Sequence, residues 1–344
     1  MKAILELLND FPNKTVLVLG DVILDSYLEG SSTRLCREAP VPIVDFIRES
    51  RYPGGAGNTA VNVAAMGAYC LLFSAIGKDS EGCALLKHLD NKGVSTQRLL
   101  VVPERKTLFK QRIVANNQIL ARVDRGTTHA PIAAETELLA NLLEECYKVA
   151  NLDAIIVSDY GYGTVAPPIL AKLHELRASF NYLLIIDAKD LTKYSELNAT
   201  AMTPNYAEAM AILGEPILPA GEGRREQVFA IGHRLLYRLK SQIVVVTLDQ
   251  DGVAVFERGT SPRHFPTTPQ EGTVGGAGDT FIAAFTLALC AGAATEVAAQ
   301  IGVRAATATI SLPGTATCTY EHLRESFQYE DAKVNLLPFD GNLL

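Results

Sequence analysis

The chain has 344 residues, 48% of them hydrophobic and 20% charged, with a net charge of −7. This length and apolar content allow a large buried core, and an acidic chain without a basic stripe argues against nucleic acid as a partner. The N-terminus lacks the long apolar centre of a signal peptide, and the most apolar segment, 281–294, is shorter than the ~20 residues that span a bilayer. Its six cysteines are scattered. We therefore expect a cytoplasmic protein with no membrane contact and no zinc site.

Apolar runs alternate with amphipathic helical patterns along the chain. The predicted strands are 15–21, 70–77, 153–160, 182–189 and 243–252. Helical patterns precede the last four strands, at 58–67, 133–150, 167–179 and 225–240. Continuous apolar strands that alternate with helices indicate βαβ units, because a parallel sheet is covered on both faces. The predicted fold is therefore α/β, a doubly wound and mostly parallel sheet with helices on both faces.

Two segments depart from this alternation. Residues 41–52 and 107–124 alternate apolar and polar side chains with a period of two, which is typical of strands with one solvated face. We predict that they form a small antiparallel β lid that projects from the main sheet. Such a lid would cover a site or pair with a second subunit; ordinary edge hairpins are the alternative.

Several predicted strands end in polar residues. In open α/β sheets, ligands bind beyond the carboxyl ends of the strands. The residues placed there are Asp21, Asp25, Asp159, Asp187, Lys189 and Thr247. Those near the ends of neighbouring strands are expected to face one crevice.

A glycine-rich turn, Gly276-Ala277-Gly278-Asp279, precedes an apolar helical pattern. Residues without bulky side chains let the first backbone N–H groups of a helix approach an anion, and the helix dipole favours negative charge there. This arrangement suits a phosphoryl group in transfer, with Asp279 accepting a proton from a hydroxyl nucleophile. The alternative is that Asp279 only caps the helix.

A second glycine turn follows Pro53. Gly55, Gly57 and Ala60 imitate a dinucleotide-binding fingerprint, and Asp79 lies about twenty residues further on. A dehydrogenase is therefore a rival interpretation. Proline is a poor end for a central parallel strand, which argues against it.

Both turns, together with Asn205 and Glu208 in an N-x-x-E element, resemble the ribokinase-like, pfkB-type family of carbohydrate kinases. The first turn matches through Gly54, Gly55, Asn58, Ala60, Gly67 and Gly77, and the second through residues 276–279. The resemblance implies one kinase domain over residues 1–330 with the lid strands inserted, followed by a C-terminal tail at 331–344.

Further segments resemble the kinase part of bacterial heptose-phosphate kinases. They are "EAPVP" (38–42), "NNQILARVD" (116–124), "SDYGYG" (158–163) and "IDAKD" (186–190). This resemblance implies transfer of the γ-phosphoryl of ATP to the anomeric hydroxyl of D-glycero-D-manno-heptose 7-phosphate. Nothing matches the nucleotidyltransferase motif of the bifunctional relatives, so only the kinase part is expected. The alternatives are another ribokinase-like sugar or nucleoside kinase, and a sugar-phosphate-binding protein without turnover.

The resemblance also implies roles at the ATP side of the site. Asp279 is the expected general base, and Gly276, Ala277 and Gly278 are expected to hold the transferring phosphoryl group. Glu208 is expected to reach Mg²⁺ through water, while ATP is contacted by Asn205, Lys189, Thr247 and Gly252. Thr273 and Gly275 depart from the family pattern near the nucleotide, which leaves dependence on a monovalent cation open.

On the sugar side, the expected contacts are Asp25, Gly55, Asn58 and Asp159. Lys110 and Arg112 share one strand face at a spacing of two, so both are expected to bind the substrate phosphate, with Arg34 as a further candidate. Solvated edge charges are the alternative for these cations. The lid also predicts a homodimer.

Overall fold

The computed structural model describes residues 2–149, 151–179, 182–219, 221, 223–267, 275–310 and 317–334. Within these ranges the helices are α1 (Lys2–Leu8), α2 (Ala56–Ala65), α3 (Ser80–Asn91), α4 (Ala133–Val149), α5 (Pro167–Ser179), α6 (Tyr206–Leu213), α7 (Arg224–Leu239), α8 (Ala277–Cys290), α9 (Thr295–Ile310) and α10 (Tyr320–Val334). Helix α10 therefore extends past residue 330, and residues 335–344 of the predicted tail lie outside the described ranges.

The strands form two sheets. They are β1 (Thr15–Gly20), β2 (Val22–Ser31), β3 (Asp45–Gly55), β4 (Tyr69–Gly77), β5 (Ser95–Val102), β6 (Leu108–Ala115), β7 (Gln118–Arg125), β8 (Ala154–Asp159), β9 (Leu183–Ala188), β10 (Ala201–Met202), β11 (Ile243–Thr247), β12 (Val253–Glu257) and β13 (Arg263–Phe265). The larger sheet has the order β13-β12-β11-β10-β9-β8-β1-β4-β5 and the smaller one β3-β2-β6-β7.

The large sheet is parallel from β11 to β5, and β12 pairs antiparallel with both β11 and β13 at one edge. Its two faces carry separate cores, because alternate residues of a strand point to opposite sides. In β1, Val16 and Val18 pack in the core that includes α2, α8 and α9, whereas Leu17 and Leu19 pack in the core that includes α4, α5 and α7. The predicted doubly wound α/β fold is confirmed.

Strand order reverses beside β1. The chain passes from β1 to β4 and β5 on one side and later from β8 to β11 on the other. The carboxyl ends of β1 and β8 therefore flank the crevice where open α/β sheets bind ligands. Asp21 follows β1 and Asp159 ends β8, so both predicted strand-end carboxylates lie at this point.

The small sheet is the predicted lid. Its outer pairs, β2–β3 and β6–β7, are antiparallel, while the central pair β2–β6 is parallel. Segment 41–52 corresponds to β3, and segment 107–124 is the hairpin of β6 and β7. Asn116 and Asn117 form its two-residue turn with φ of 50° and 64°, a conformation that asparagine adopts more readily than most residues. Strand β2, which the sequence analysis did not predict, joins the lid directly to β1.

The side chain of Asp21 fixes the loop after β8. Its carboxylate is fully buried and accepts hydrogen bonds from the backbone N–H groups of Tyr160, Tyr162 and Thr164 at 2.8–3.0 Å. Burial raises the pKa of Asp21, and these bonds oppose that rise. Asp21 is thus a loop-ordering carboxylate, and it sets the position of Tyr160.

Candidate active site

Helix α8 begins beside the crevice with an open N-terminus. Gly276 precedes it with a φ of 89°, a left-handed conformation that favours glycine. Among the described residues, a Cβ at Gly278 would meet no atom within 4 Å, so these residues leave space for an anion beside the backbone there. The N–H groups of the first turn have no partner within the helix. The turn therefore has the shape and polarity of the predicted phosphoryl-binding site.

Asp279 lies in the first turn of α8 and is only 8% exposed. Its carboxylate accepts hydrogen bonds from Asn58 Nδ2 at 2.8 Å, Thr59 Oγ1 at 3.0 Å and the Tyr160 hydroxyl at 3.1 Å. Burial raises the pKa of Asp279 and the three donors lower it, so that the pKa lies at about 6. The group is ionised at neutral pH but binds a proton more readily than an exposed aspartate, as a general base must.

A cavity of about 170 Å³ lies next to this helix N-terminus, over the carboxyl ends of β8, β9 and β11. Its lining residues are Asp159, Tyr160, Asp187, Ala188, Lys189, Thr203, Asn205, Glu208, Thr247, Gly278 and Phe281. The cavity thus brings together five predicted nucleotide or metal contacts and the predicted sugar ligand Asp159. Gly252 does not line it, and Thr273 lies outside the described residues.

Negative charge accumulates in this cavity. Burial, together with the charges of Asp279 and Glu208, raises the pKa of Asp187 to about 7. Carboxylate oxygens that repel one another are the ligands that a hard cation such as Mg²⁺ prefers. Across the described part of the chain, no group of three or more His, Cys, Asp or Glu side chains is arranged to hold a metal alone. The donor set therefore fits Mg²⁺ that keeps waters and shares its ligands with phosphate.

Asn205 and Glu208 also have a structural task. The Asn205 side chain accepts from the Glu208 N–H, and Glu208 Oε2 accepts from the Asn205 N–H, both at 2.9 Å. This capping box begins α6. The second oxygen, Oε1, contacts Lys189 Nζ at 3.2 Å on the cavity side. Glu208 is consequently oriented by the helix cap, with one oxygen turned towards the predicted metal and phosphate position.

Asp159 is held by structural contacts as well. Its carboxylate accepts from the Gly161 N–H at 2.9 Å and from the Tyr194 hydroxyl, and it pairs with Lys193.

Gly252, at a φ of 87°, lies in the turn before β12, where a Cβ would approach Phe265 O to 2.1 Å. Its conformation gives Gly252 a structural reason to be glycine, and its nucleotide contact stays a prediction.

The inner face of the lid carries the predicted sugar ligands. Asp25 Oδ1 pairs with Arg112 Nη1 at 2.6 Å, and the Arg112 guanidinium stacks over Tyr27. Lys110, beside Asp25 in the paired strands, places Nζ 5.0 Å from the ring centre of Tyr162 and 5.9 Å from that of Tyr160. No carboxylate pairs with Lys110 among the described residues. The lid therefore offers one free cation and one paired cation to the crevice.

The other predicted sugar contacts, Gly55, Asn58 and Arg34, lie at different places in the fold. Gly55, with a φ of 58°, is the N-cap of α2, and a Cβ there would come within 2.5 Å of Asp21 O. Asn58 is buried and donates to Asp279. Arg34 follows the far end of β2 and pairs with Asp45 at 3.7 Å, roughly 20 Å along the strand from Asp25 at ~3.3 Å per residue. Within one chain, Arg34 thus belongs to the tip of the lid.

Sequence reasoning gave no role to Thr59, Tyr160 or Asp187. Asp187 lies at the end of a predicted strand, so assigning a site role to every carboxylate at a strand end would have identified it. Thr59 and Tyr160 touch Asp279 across 220 and 119 residues of chain. No local pattern signals such contacts.

The open anion turn, the buried carboxylate and the acidic cavity at a topological switch point define a sugar-kinase type of site. The chain matches the pfkB family of carbohydrate kinases over residues 13–322 and belongs to that family. This confirms the predicted family and enzyme class, a phosphotransferase with an alcohol acceptor. It excludes the dehydrogenase interpretation: the turn after Pro53 follows a lid strand, and Asp79 caps α3 by accepting from the Gly82 N–H.

Curated relatives include the bifunctional protein HldE of Geobacter metallireducens, 34% identical over 94% of this chain, and that of Nitrosococcus oceani, 36% identical over 92%. The matched regions cover 66% and 64% of those proteins, so this chain spans less than two thirds of their length. The predicted resemblance to this group is confirmed.

Solved structures of similar fold include phosphofructokinase-2 from Escherichia coli in complex with potassium, with a TM-score of 0.73 and 19% identity over 92% of this chain and 99% of that one. Ribokinase from Arabidopsis thaliana, complexed with ribose and ATP, has a TM-score of 0.69 and 18% identity over 92% and 98%. These neighbours confirm the ribokinase-like fold. Within the described residues, no helix is long and apolar enough to cross a bilayer.

The pKa of Asp279 predicts the pH dependence of activity. We expect kcat/KM to fall below about pH 6, because protonated Asp279 accepts no further proton. Replacing Tyr160→Phe removes a donor that stabilises the ionised form, so the acidic limb should move to higher pH by roughly half a unit to one unit. A pH series of kcat/KM for both proteins measures this shift. An unmoved limb would contradict the proposed hydrogen-bond effect.

Proposed function

We propose that this protein is an ATP- and Mg²⁺-dependent kinase that phosphorylates the anomeric hydroxyl of D-glycero-D-manno-heptose 7-phosphate to the 1,7-bisphosphate, a precursor step towards ADP-heptose. The observation that carries the proposal is the position of Asp279. This ionised carboxylate lies between the acidic cavity, which fits Mg-ATP, and the inner face of the lid, which fits a sugar phosphate. The heptose-kinase-like segments and the identity with HldE proteins support the substrate.

The chemistry follows from this placement. Asp279 takes the proton of the sugar hydroxyl, and the freed oxygen attacks the γ-phosphorus of ATP in line. The bond from that phosphorus to the bridging oxygen of ADP breaks, and ADP leaves with the electron pair. The backbone N–H groups of Gly276, Ala277 and Gly278 would stabilise the equatorial oxygens, where negative charge develops. Positioning and charge stabilisation supply most of the rate enhancement.

Glu208 and Asp187 are the residues that would hold Mg²⁺, directly or through water, and Lys189 would contact the ATP phosphates. The ion supplies charge neutralisation for the β- and γ-phosphates when it is bound. Lys189 already pairs with Glu208 and is exposed, so it can turn towards an arriving phosphate at little cost. Dependence on a monovalent cation stays open, because Thr273 lies outside the described residues.

Asp279→Asn tests the catalytic proposal. We expect kcat to fall by about 10²–10⁴-fold, because asparagine accepts no proton. The assay follows ADP release over a panel of sugars that contains heptose 7-phosphate, unphosphorylated heptose, ribose, fructose 6-phosphate and a nucleoside. An Asp279→Asn protein as active as the unaltered one would refute the mechanism.

The same panel separates the candidate functions. Turnover that favours heptose 7-phosphate supports the proposal, and turnover with another sugar or a nucleoside would replace its substrate. Saturable sugar-phosphate binding without ADP release would indicate a binding protein that has lost catalysis. The ionisable Asp279 argues against this last outcome, because a binding protein needs no base.

Lys110 is proposed to bind the terminal phosphate of the substrate. It is the lid cation without a carboxylate partner in the described structure, whereas Asp25 already neutralises Arg112. We expect Lys110→Ala to raise KM for heptose 7-phosphate by about tenfold or more, as the loss of a charge-assisted contact predicts. KM for ATP should change little. Lys172→Ala, which alters a partly exposed lysine on α5 that pairs with Glu144 and Glu175, is the control, and an unchanged sugar KM would remove Lys110 from the site.

A homodimer through the lid is also proposed. Apolar side chains lie exposed on its two edge strands, including Phe46 at 64% and Ile47 at 66% on β3 and Ile119 at 58% on β7. Exposed apolar side chains on a projecting sheet favour burial against a second copy. We expect Ile47→Asp to shift the protein from dimer to monomer in light scattering at micromolar concentration. Tyr237→Asp, at an equally exposed site on α7, should leave the mass unchanged; a monomeric unaltered protein would end this proposal.

A further inference from the structure

Asn62 has no role in the chemistry described above, yet its side chain is completely buried one turn after Asn58 on α2. Its Nδ2 donates to Asn58 O at 3.0 Å and to Asn58 Oδ1 at 3.2 Å. Its Oδ1 accepts from the backbone N–H of Cys318 at 3.1 Å and lies 3.1 Å from Thr280 Oγ1. One side chain thus connects α2 with the first turn of α8 and with the segment before α10.

These contacts fix which way the Asn62 amide points. An amide side chain has a donor end and an acceptor end of nearly equal shape, so its direction is set by its partners. The Cys318 N–H can only donate, and the Asn58 backbone carbonyl can only accept. Oδ1 of Asn62 must therefore face Cys318, and Nδ2 must face Asn58.

The direction of Asn62 determines that of Asn58. Because Nδ2 of Asn62 faces the Asn58 side chain, Asn58 turns its oxygen Oδ1 towards α2. Its remaining end, Nδ2, then donates to Asp279 Oδ2 at 2.8 Å. If the Asn58 amide were reversed, its carbonyl oxygen would face the Asp279 carboxylate. The hydrogen bond to Asp279 would then be replaced by repulsion between two oxygens.

We propose that Asn62 is a positioning residue that transmits the direction of the Cys318 backbone N–H through Asn58, so that Asn58 donates a hydrogen bond to Asp279. The inference rests on the proposed role of Asp279 as the base. If Asn62 only joined α2 to α8, it would stabilise the fold whichever way its amide pointed. A residue that sets the direction of Asn58 additionally controls how readily Asp279 is ionised.

Asn62→Ala is the first test. Without Asn62, the Asn58 amide is free to rotate, and Asp279 loses a fixed donor. We expect kcat at pH 7 to fall by about tenfold and the acidic limb of kcat/KM to move up by roughly one pH unit, as the loss of one donor to a carboxylate predicts. KM for ATP should stay within about twofold. The other charged or titratable groups near Asp279, which are Asp25, Asp187 and Tyr160, are unchanged in this variant.

Asn62→Asp is the sharper test, because it keeps the shape of the side chain. While the new carboxyl is protonated, its hydroxyl can donate to Asn58 Oδ1 and its other oxygen can accept from the Cys318 N–H. Once ionised, it donates nothing, and Asn58 is driven to reverse. We expect activity close to that of the unaltered protein at low pH and a new alkaline limb that the unaltered protein lacks. Burial keeps the carboxyl protonated to higher pH than usual, so that limb should lie above about pH 6.

Val63→Ala is the matched control. Val63 is the next residue on α2, fully buried in the core, and its truncation destabilises the helix without touching the network. We expect it to lower the melting temperature but to leave the acidic limb of the pH profile in place and to add no alkaline limb.

The possible results distinguish the positioning role of Asn62 from the proposed function. An Asn62→Ala protein whose pH profile matches that of Val63→Ala, or an Asn62→Asp protein without an alkaline limb, would overturn the positioning role. If Asn62→Ala does not fold, the profile of Asn62→Asp decides alone. Full activity of Asp279→Asn would instead refute the proposed function, and an inactive Asp279→Asn with unmoved Asn62 profiles would refute only this inference.

Discussion

The carboxylate of Asp279 has to stay ionised while almost no solvent reaches it. Burial favours its protonated form, and the nearby charge of Asp25 acts in the same direction. Three neutral donors from two distant parts of the chain oppose this effect without adding a cation that would neutralise the base. The result is a pKa close to neutrality, where a group is both ionised and able to accept a proton.

This requirement explains the packing around the site. Helices α2 and α8 must lie close together, because α2 supplies Asn58 and Thr59 while α8 supplies Asp279. The glycines before α2 allow the start of that helix to lie close to β2 and to the end of β1: a Cβ at Gly54 would lie 1.9 Å from Asp25 Oδ2, and one at Gly55 would lie 2.5 Å from Asp21 O. Asp21 in turn orders the loop that carries Tyr160. Each buried carboxylate is thus satisfied by backbone or side-chain donors fixed by another part of the fold.

Sequence periodicity predicted the five strands β1, β4, β8, β9 and β11 of the main sheet, the helices that precede the last four of them, and the lid hairpin, because each has a hydrophobic pattern of its own. It did not predict β5, β10, β12 or β13 of the same sheet. It failed for β2, whose buried first half continues the apolar run of β1 and whose second half is only partly buried. At the site, the glycine turn and the N-x-x-E element have local patterns and were predictable. The donors to Asp279 were not, since Tyr160 meets it only after β8 and α8 converge. Asn58 was predicted to contact sugar, and in the structure its amide donates a hydrogen bond to Asp279.

The lid and the main domain divide recognition between them. The lid contributes Lys110, Arg112 and Asp25 to the crevice, and the Arg112–Asp25 pair leaves a net charge near one positive unit on that face. The main domain contributes carboxylates that require a cation. A substrate with its own phosphate would complement the lid, and the Mg²⁺ that accompanies ATP would complement the carboxylates of the main domain. Tyr160 touches both halves, because Lys110 lies over its ring and its hydroxyl donates to Asp279. The lid therefore reaches the base both through Tyr160 and through the charge of Asp25.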